Sequence, residues 1–288
     1  MTRAFTVRRA IDAELLAQLL QPNRLIAASA FAQLEPEAFS LSQWWISEND
    51  GKMSIIMHSP AGLGDSTFVF GAPPGVQAAL SIHPGVSQTF ITGLPKHLNA
   101  LQSTYSMESV RVMRRMHVTS QRFHDTEEIS VRLDGKHVGA INQLYGTEWG
   151  ITTYSARHID EGLYCGIVVN DRLVSVAGTH AISPTYGIAV VGNVYTHPNF
   201  RGRGYATTTT SAVTRTLLEH CEDVVLSVAD KNIPARRTYQ RLGYMPIGEI
   251  VEGGSQRRIR SLNASFNRIL AQMRGRRQQA EIVRLRTI

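Results

Sequence analysis

The stretch from Ala189 to Ala206 constrains this chain more than any other. Val190, Val191, Val194 and Thr196 make a short β-branched strand. Pro198 ends it, because proline cannot donate to a ladder. Arg201-Gly202-Arg203-Gly204 follows, and then a helix-length run from Ala206 to His220. A helix N-terminus exposes unpaired N–H groups at the positive end of its dipole. Glycines at 202 and 204 remove the side chains that would keep a phosphate away from those groups. Strand, glycine turn and helix together make an anion cradle in an α/β chain.

The rest of the sequence sets the frame. A length of 288 residues suits two ordinary domains, and 43% hydrophobic residues is a globular value. The two cysteines, Cys165 and Cys221, cannot form a disulfide framework, so they read as small buried hydrophobes in a reducing cytoplasm. No run approaches the ~18 apolar residues of a membrane span, and the N-terminal arginines precede no apolar core. The expected protein is soluble, cytoplasmic and unprocessed. Its net charge of +7 is concentrated: residues 256–288 carry nine arginines and one glutamate. The body is therefore nearly neutral, which argues against nucleic-acid binding there.

Apolar periodicity and turn residues divide the chain into two rounds. The first has helices within 13–34, strands at Ser42–Ile46, Met53–His58 and Thr67–Phe70, a helix Val76–Ile82, a strand Thr89–Thr92, a helix from Pro95 and a strand Val110–Val118. The second has a strand Ile129–Leu133, a helix from His137, a hairpin across Asn170-Asp171, and the strand and helix already described. It closes with a strand Val224–Val228, a helix Pro234–Leu242 capped by Asn232, and a strand Met245–Val251. The shared order suggests a duplicated architecture. In the tail, Leu262, Phe266, Ile269, Leu270 and Met273 fall at helical spacing. A helix docked on the body or on a second subunit explains that face better than membrane or nucleic acid does, and it leaves room for a homo-oligomer.

The glycine loop alone is a small pattern, but a second block stands downstream: a strand, then Asn232, Ala235, Tyr239 and Gly243-Tyr244. In order and spacing the two blocks resemble the GCN5-related N-acetyltransferases (GNAT) over about residues 127–252. In that family the loop reads Arg/Gln-x-x-Gly-x-Gly/Ala, here Arg201 to Ala206. The resemblance implies a mixed sheet flanked by helices, acetyl-coenzyme A as acyl donor, and direct transfer to an amine in a ternary complex. It implies that N–H groups of Gly202, Arg203, Gly204, Tyr205, Ala206 and Thr207 hold the pyrophosphate. Arg201 and Arg203 either add charge or are solvated surface arginines. The pantetheine arm would pair with the strand at Val194, Tyr195 and Thr196 where it splays from its neighbour, with Gly192 a bulge candidate. Asn232 is a helix cap, or a cap that also touches the cofactor. Tyr239 is the implied general acid for the thiolate. His180, Glu148, Glu161, Glu249 and Glu252 are candidate bases, with none preferred.

The first round lacks such a cradle. Gly71-Ala72-Pro73-Pro74-Gly75 leaves two positions without N–H donors, and no arginine or lysine lies between Lys52 and Lys96. The expected organisation is a GNAT-like domain without the phosphate loop at 1–125, an acetyl-coenzyme A-binding domain at 126–255, and a basic, partly helical tail at 256–288. The acceptor, a small molecule or a peptide amine, carries no signature, and no metal site is implied. A non-catalytic acyl-coenzyme A sensor that engages a partner through the tail is the competing reading.

Overall fold

Polar turns between β-branched runs organise the chain into hairpins. Asp50 and Gly51 take φ of 49° and 71°, and Asn170 and Asp171 take 49° and 58°. Two successive left-handed residues are what a tight two-residue hairpin requires. The computed structural model describes residues 2–60, 64–126, 128–149, 154–258 and 280–286.

The first half of the chain runs β1 (Thr2–Ala10), α1 (Ala13–Leu20), α2 (Ala28–Ala32), α3 (Pro36–Leu41), β2 (Gln43–Asn49), β3 (Lys52–Ser59), β4 (Ser66–Gly71), α4 (Pro73–Ile82), β5 (Gln88–Gly93), α5 (Leu98–Gln102), β6 (Tyr105–Ser106) and β7 (Arg111–Val118). The second runs β8 (Val131–Leu133), α6 (Val138–Trp149), α7 (Ala156–Glu161), β9 (Tyr164–Val169), β10 (Arg172–Ser183), β11 (Ile188–Thr196), α8 (Tyr205–Leu218), β12 (Asp223–Ala229), α9 (Ile233–Arg241), β13 (Met245–Arg257) and β14 (Glu281–Arg286). Most expected elements are present within a few residues. The strand expected at Ile129–Leu133 is shorter, and β1, α3 and α7 had no clear sequence signal. The helical spacing at Leu262–Met273 lies outside the described residues. Residues 281–286 of the tail are not helical: they form β14, antiparallel to β1 with Phe5 opposite Val283.

The chain divides into two compact units: Met1–Pro22, Pro36–Val112 and Glu249–Ile288 in one, Asn23–Glu35 and Met113–Gly248 in the other. Both are discontinuous, unlike the linear boundaries expected at 125/126 and 255/256. In the first unit the strands run β14-β1-β2-β3-β4-β5-β13, with only β4 and β5 parallel. Its core packs Trp45, Ile56, Val69, Leu80 and Ile91 around α4. In the second the order is β7-β12-β11-β10-β9-β8, with only β11 and β12 parallel.

Each unit thus holds a parallel pair joined through one helix, α4 or α8, and closed by an antiparallel strand. The closing strand is encoded in the opposite half of the chain. β13 lies beside β5 in the first unit, and β7 lies beside β12 in the second.

α8 is an unusual helix in sequence, since Thr208, Thr209, Thr210, Ser211 and Thr214 are all buried. Buried hydroxyls need partners. Thr209 Oγ1 donates to the Tyr205 carbonyl at 3.0 Å, Ser211 Oγ to Asp125 at 2.7 Å, and Thr214 Oγ1 lies 2.7 Å from the Tyr244 hydroxyl. Ala212, Val213 and Leu217 supply the helix's apolar contact with Val191, Val224 and Leu226 on the sheet.

Candidate active site

The site is built where β11 leaves β12. These strands pair from Ile188 opposite Asp223 to Val191 opposite Leu226. β11 then continues to Thr196 and β12 to Ala229 without further pairing between them. A bulge accompanies the parting. Val176 faces Tyr195 and Gly178 faces Gly192, so β11 carries one extra residue in that interval. The residue that takes the strained conformation is Asn193, at φ 53°, rather than the expected Gly192. The segment Val194-Tyr195-Thr196 therefore makes no ladder pair with β12. Two nearby carbonyls already have donors: Asn193 O accepts from the Tyr145 hydroxyl at 2.5 Å, and Thr196 O from Arg201 Nε at 3.0 Å.

Beyond β11 the chain makes a short turn stabilised by His197, whose Nδ1 accepts from the Asn199 N–H at 3.2 Å. Gly202 and Gly204 follow with φ of 78° and 86°. Gly204 is the N-cap of α8 and no side chain caps the helix. A Cβ built on either glycine meets no atom within 4 Å, so the space in front of the loop is open. Among the described residues, the N–H groups of Gly202, Arg203, Gly204, Tyr205 and Ala206 have no acceptor. Thr207 differs, since its N–H donates to the Gly204 carbonyl at 2.7 Å. The free donors therefore end one residue earlier than the sequence implied.

The two arginines do not behave alike. Arg201 is ion-paired to Glu148 and lies over the Tyr195 ring at 5.7 Å. Arg203 is exposed, with its guanidinium 5.1 Å from the Phe200 ring centroid. Glu148, one of the candidate bases, has its carboxyl held below the usual range by that Arg201 hydrogen bond, with Tyr195 adding to it.

Asn232 caps α9 by accepting the Ala235 N–H at 3.2 Å. One turn on, Tyr239 is buried in the cluster that contains Val191, Leu226 and, at its edge, Val194. Its ring meets Tyr244 edge-on at 6.1 Å. No hydrogen-bond partner for its hydroxyl appears among the described residues, and burial alone pushes its pKa above the ordinary tyrosine value. The structure thus brings Tyr239 to the rungs where β11 and β12 separate.

A second cluster at the bulge was not foreseen, apart from His180. Tyr154 Oη donates to Asn193 Oδ1 at 2.9 Å, and His180 Nε2 lies 2.9 Å from the same oxygen. Asn193 Nδ2 donates to the Tyr164 hydroxyl at 2.8 Å, and His158 Nε2 lies 2.8 Å from that hydroxyl. Tyr145 stacks on Tyr154 at 5.0 Å. Burial raises Tyr154 to about 12 and lowers His158. Irregular spacing along the chain hides these aromatics. The available signal was glycine inside apolar strands, which marks a bulky neighbour. A Cβ at Gly178 would sit 2.2 Å from the Tyr164 ring, and one at Gly192 would sit 2.4 Å from the His180 ring.

Of the other candidate bases, Glu161 pairs with Arg157 at 2.5 Å, and Glu249 and Glu252 belong to the first unit. Both cysteines are buried and free. No described helix is long and apolar enough to cross a membrane.

Residues 136–244 match the acetyltransferase (GNAT) family model. No curated protein matches the chain in sequence. Among solved structures, a Drosophila protein is 12% identical and aligns with a TM-score of 0.64 over 86% of this chain and 98% of its own. A putative GNAT-family acetyltransferase from Novosphingobium aromaticivorans is 18% identical, with a TM-score of 0.55 over 71% and 89%. A tandem GNAT protein from the clavulanic acid biosynthesis pathway is 13% identical, with a TM-score of 0.51 over 89% and 99%. These likenesses establish a mixed sheet flanked by helices, the GNAT fold. Residues 136–244 are the part of the chain that matches the acetyltransferase (GNAT) family, and the fold around them is the GNAT fold.

Proposed function

We propose that the chain is an N-acyltransferase that moves an acetyl or other short acyl group from acetyl-coenzyme A to an amine, a small molecule or a peptide. Acyl transfer from acetyl-coenzyme A is the general chemistry of the family. The observation that carries the reading is an uncapped helix N-terminus, α8, at the end of a strand that parts from its neighbour. The residues fit the donor: N–H groups from Gly202 to Ala206 without an acceptor among the described residues stand beside open space, and β11 makes no pair with β12 after Val191.

In this reading the loop N–H groups hold the pyrophosphate. The edge of Val194-Tyr195-Thr196 orients the pantetheine arm as an added strand. The donor, when bound, supplies an activated carbonyl and a thiolate leaving group. Tyr239 donates its hydroxyl proton at the sulfur. Arg201 positions the loop through Glu148 and Thr196 and need not touch phosphate.

The first unit reads as a counterpart that lost its cradle, in a tandem arrangement. Pro73 and Pro74 occupy the first turn of α4 and bring no N–H. The Ala72 N–H is bound to Ser54 Oγ at 3.0 Å.

Calorimetric titration with coenzyme A, followed by thiol release from acetyl-coenzyme A across a panel of primary amines, tests the proposal. Binding with turnover of at least one amine supports it. Binding without turnover of any amine would favour an acyl-coenzyme A sensor, and absence of binding would remove both readings.

A further inference from the structure

The groups around Asn193 fix the direction of the hydrogen bonds that its amide makes. Asn193 Nδ2 faces two groups, the Tyr164 hydroxyl at 2.8 Å and the Thr179 carbonyl at 3.4 Å. A carbonyl can only accept, so this side of the amide must be the nitrogen. Its oxygen then accepts from Tyr154 and from His180 Nε2, which makes His180 the Nε2–H tautomer. Tyr164 accepts from Asn193, and the arrangement that also uses its own proton has it donating to His158 Nε2, with the His158 proton on Nδ1. One imidazole is therefore used up and the other is not. The His158 Nε2 lone pair is engaged, whereas the Nδ1 lone pair of His180 has no partner among the described residues.

His180 is also held in place. Its ring lies over Gly192, where a Cβ would come within 2.4–2.6 Å of three ring atoms. This puts the imidazole directly beside the bulge at which β11 leaves β12. Tyr154 and Tyr164 share the Asn193 amide with it and His158 is close by, and among the described residues no carboxylate is hydrogen-bonded to it. Glu148 and Glu161, the competing bases in this unit, are each bound to an arginine.

We propose that His180, oriented by Asn193, is the base that takes the proton from the acceptor amine through Nδ1; the assignment rests on the acyl-transfer reading above. The amine arrives as an ammonium ion. His180 Nδ1 takes one N–H proton and becomes imidazolium. The freed nitrogen lone pair forms the C–N bond at the thioester carbonyl carbon. As the C–S bond breaks, its electron pair stays on sulfur, which Tyr239 protonates. The second nitrogen proton returns to the Tyr239 oxygen through water, and exposed His180 releases its own to solvent. Asn193 and Tyr164 are positioning residues in this scheme.

Two measurements test the assignment. The first needs no acceptor: long-range 1H–15N spectra of protein labelled in histidine, recorded above the ordinary histidine range, with His180→Gln identifying the signal. The expected result is Nε2–H for His180 and Nδ1–H for His158, with His180 moving toward a tautomer mixture in Asn193→Ala. A proton on His180 Nδ1 in the wild type would overturn the proposal.

The second uses the amine with the highest turnover in the panel. His180→Ala is expected to lower kcat about 10²- to 10⁴-fold while the coenzyme A dissociation constant stays within about twofold. Added imidazole should restore part of the lost rate, which a purely structural role would not permit. His180→Gln with turnover close to wild type would reject the base and leave the acyl-transfer reading standing. Failure of every amine in the wild type would take both away.

Discussion

The Arg201 guanidinium is bound to the Glu148 carboxylate, tying the last turn of α6 to the loop that leaves β11. An arginine of the glycine loop therefore acts on the protein itself. Glu148→Gln should keep kcat within about threefold in steady-state assays, because that carboxylate is committed to Arg201. Its lowered pKa adds stability that is fully present above the unfolded value of about 4.3 and disappears as pH falls through the lower folded value. The melting-temperature gap between wild type and Glu148→Gln should be constant near neutrality and close in acid. A gap that widened in acid would contradict the pairing.

Gly204→Val should abolish measurable coenzyme A binding. Its φ of 86° is strained for a β-branched residue by roughly 1–2 kcal/mol, and its side chain would enter the open space before the loop. Gly204→Ala separates the two effects, because it carries similar strain with little bulk. Calorimetry should show the valine variant weaker than the alanine variant by at least about tenfold. Equal constants would mean that the phosphate lies elsewhere.

Tyr239→Phe removes a hydroxyl with no hydrogen-bond partner among the described residues, so little stability should be lost. Turnover should drop by about 10²-fold or more, with the coenzyme A dissociation constant nearly unchanged. Because burial raises the Tyr239 pKa, the hydroxyl stays protonated through the neutral range and should impose no alkaline limb there. Full turnover in the variant would end its role as acid.

In the first unit, His97 offers a pH test of stability. Its Nδ1 accepts the Leu94 N–H at 3.1 Å and its Nε2 faces the Gly71 carbonyl at 3.0 Å, so the fold holds the neutral form. Burial lowers its pKa to about 4. The unfolded chain, near 6.5, binds the proton first. Stability from this residue is therefore complete above about 6.5 and is lost as pH falls toward 4, by up to roughly 3 kcal/mol. Denaturant melts of His97→Gln should show a flatter acid dependence than wild type. An unchanged slope would place the acid sensitivity elsewhere.

The glycine loop and the Asn232 cap were legible because each is a local requirement of backbone or helix geometry, and Tyr239 was legible through the family resemblance alone. Four features were not. The side-chain partner of Arg201 depends on α6, which is more than fifty residues away in sequence. The bulge at Asn193 arises from pairing with β10, and asparagine tolerates positive φ without advertising it. The Tyr145, Tyr154 and Tyr164 cluster draws on a helix, a loop and a strand, so no periodicity joins its members. β7 and β13 were both readable as strands, yet nothing in an alternating pattern names the neighbour across the ladder.

That last ambiguity bears on the order in which the molecule can be assembled during synthesis. Everything in the second unit lies before Glu249, so its sheet can close, with β7 already made, while the end of the chain is still being added. The first unit must wait for β13 and then β14. Its earlier strands meanwhile stand with open edges at β5 and β1. The unit that begins the chain is the last to be finished.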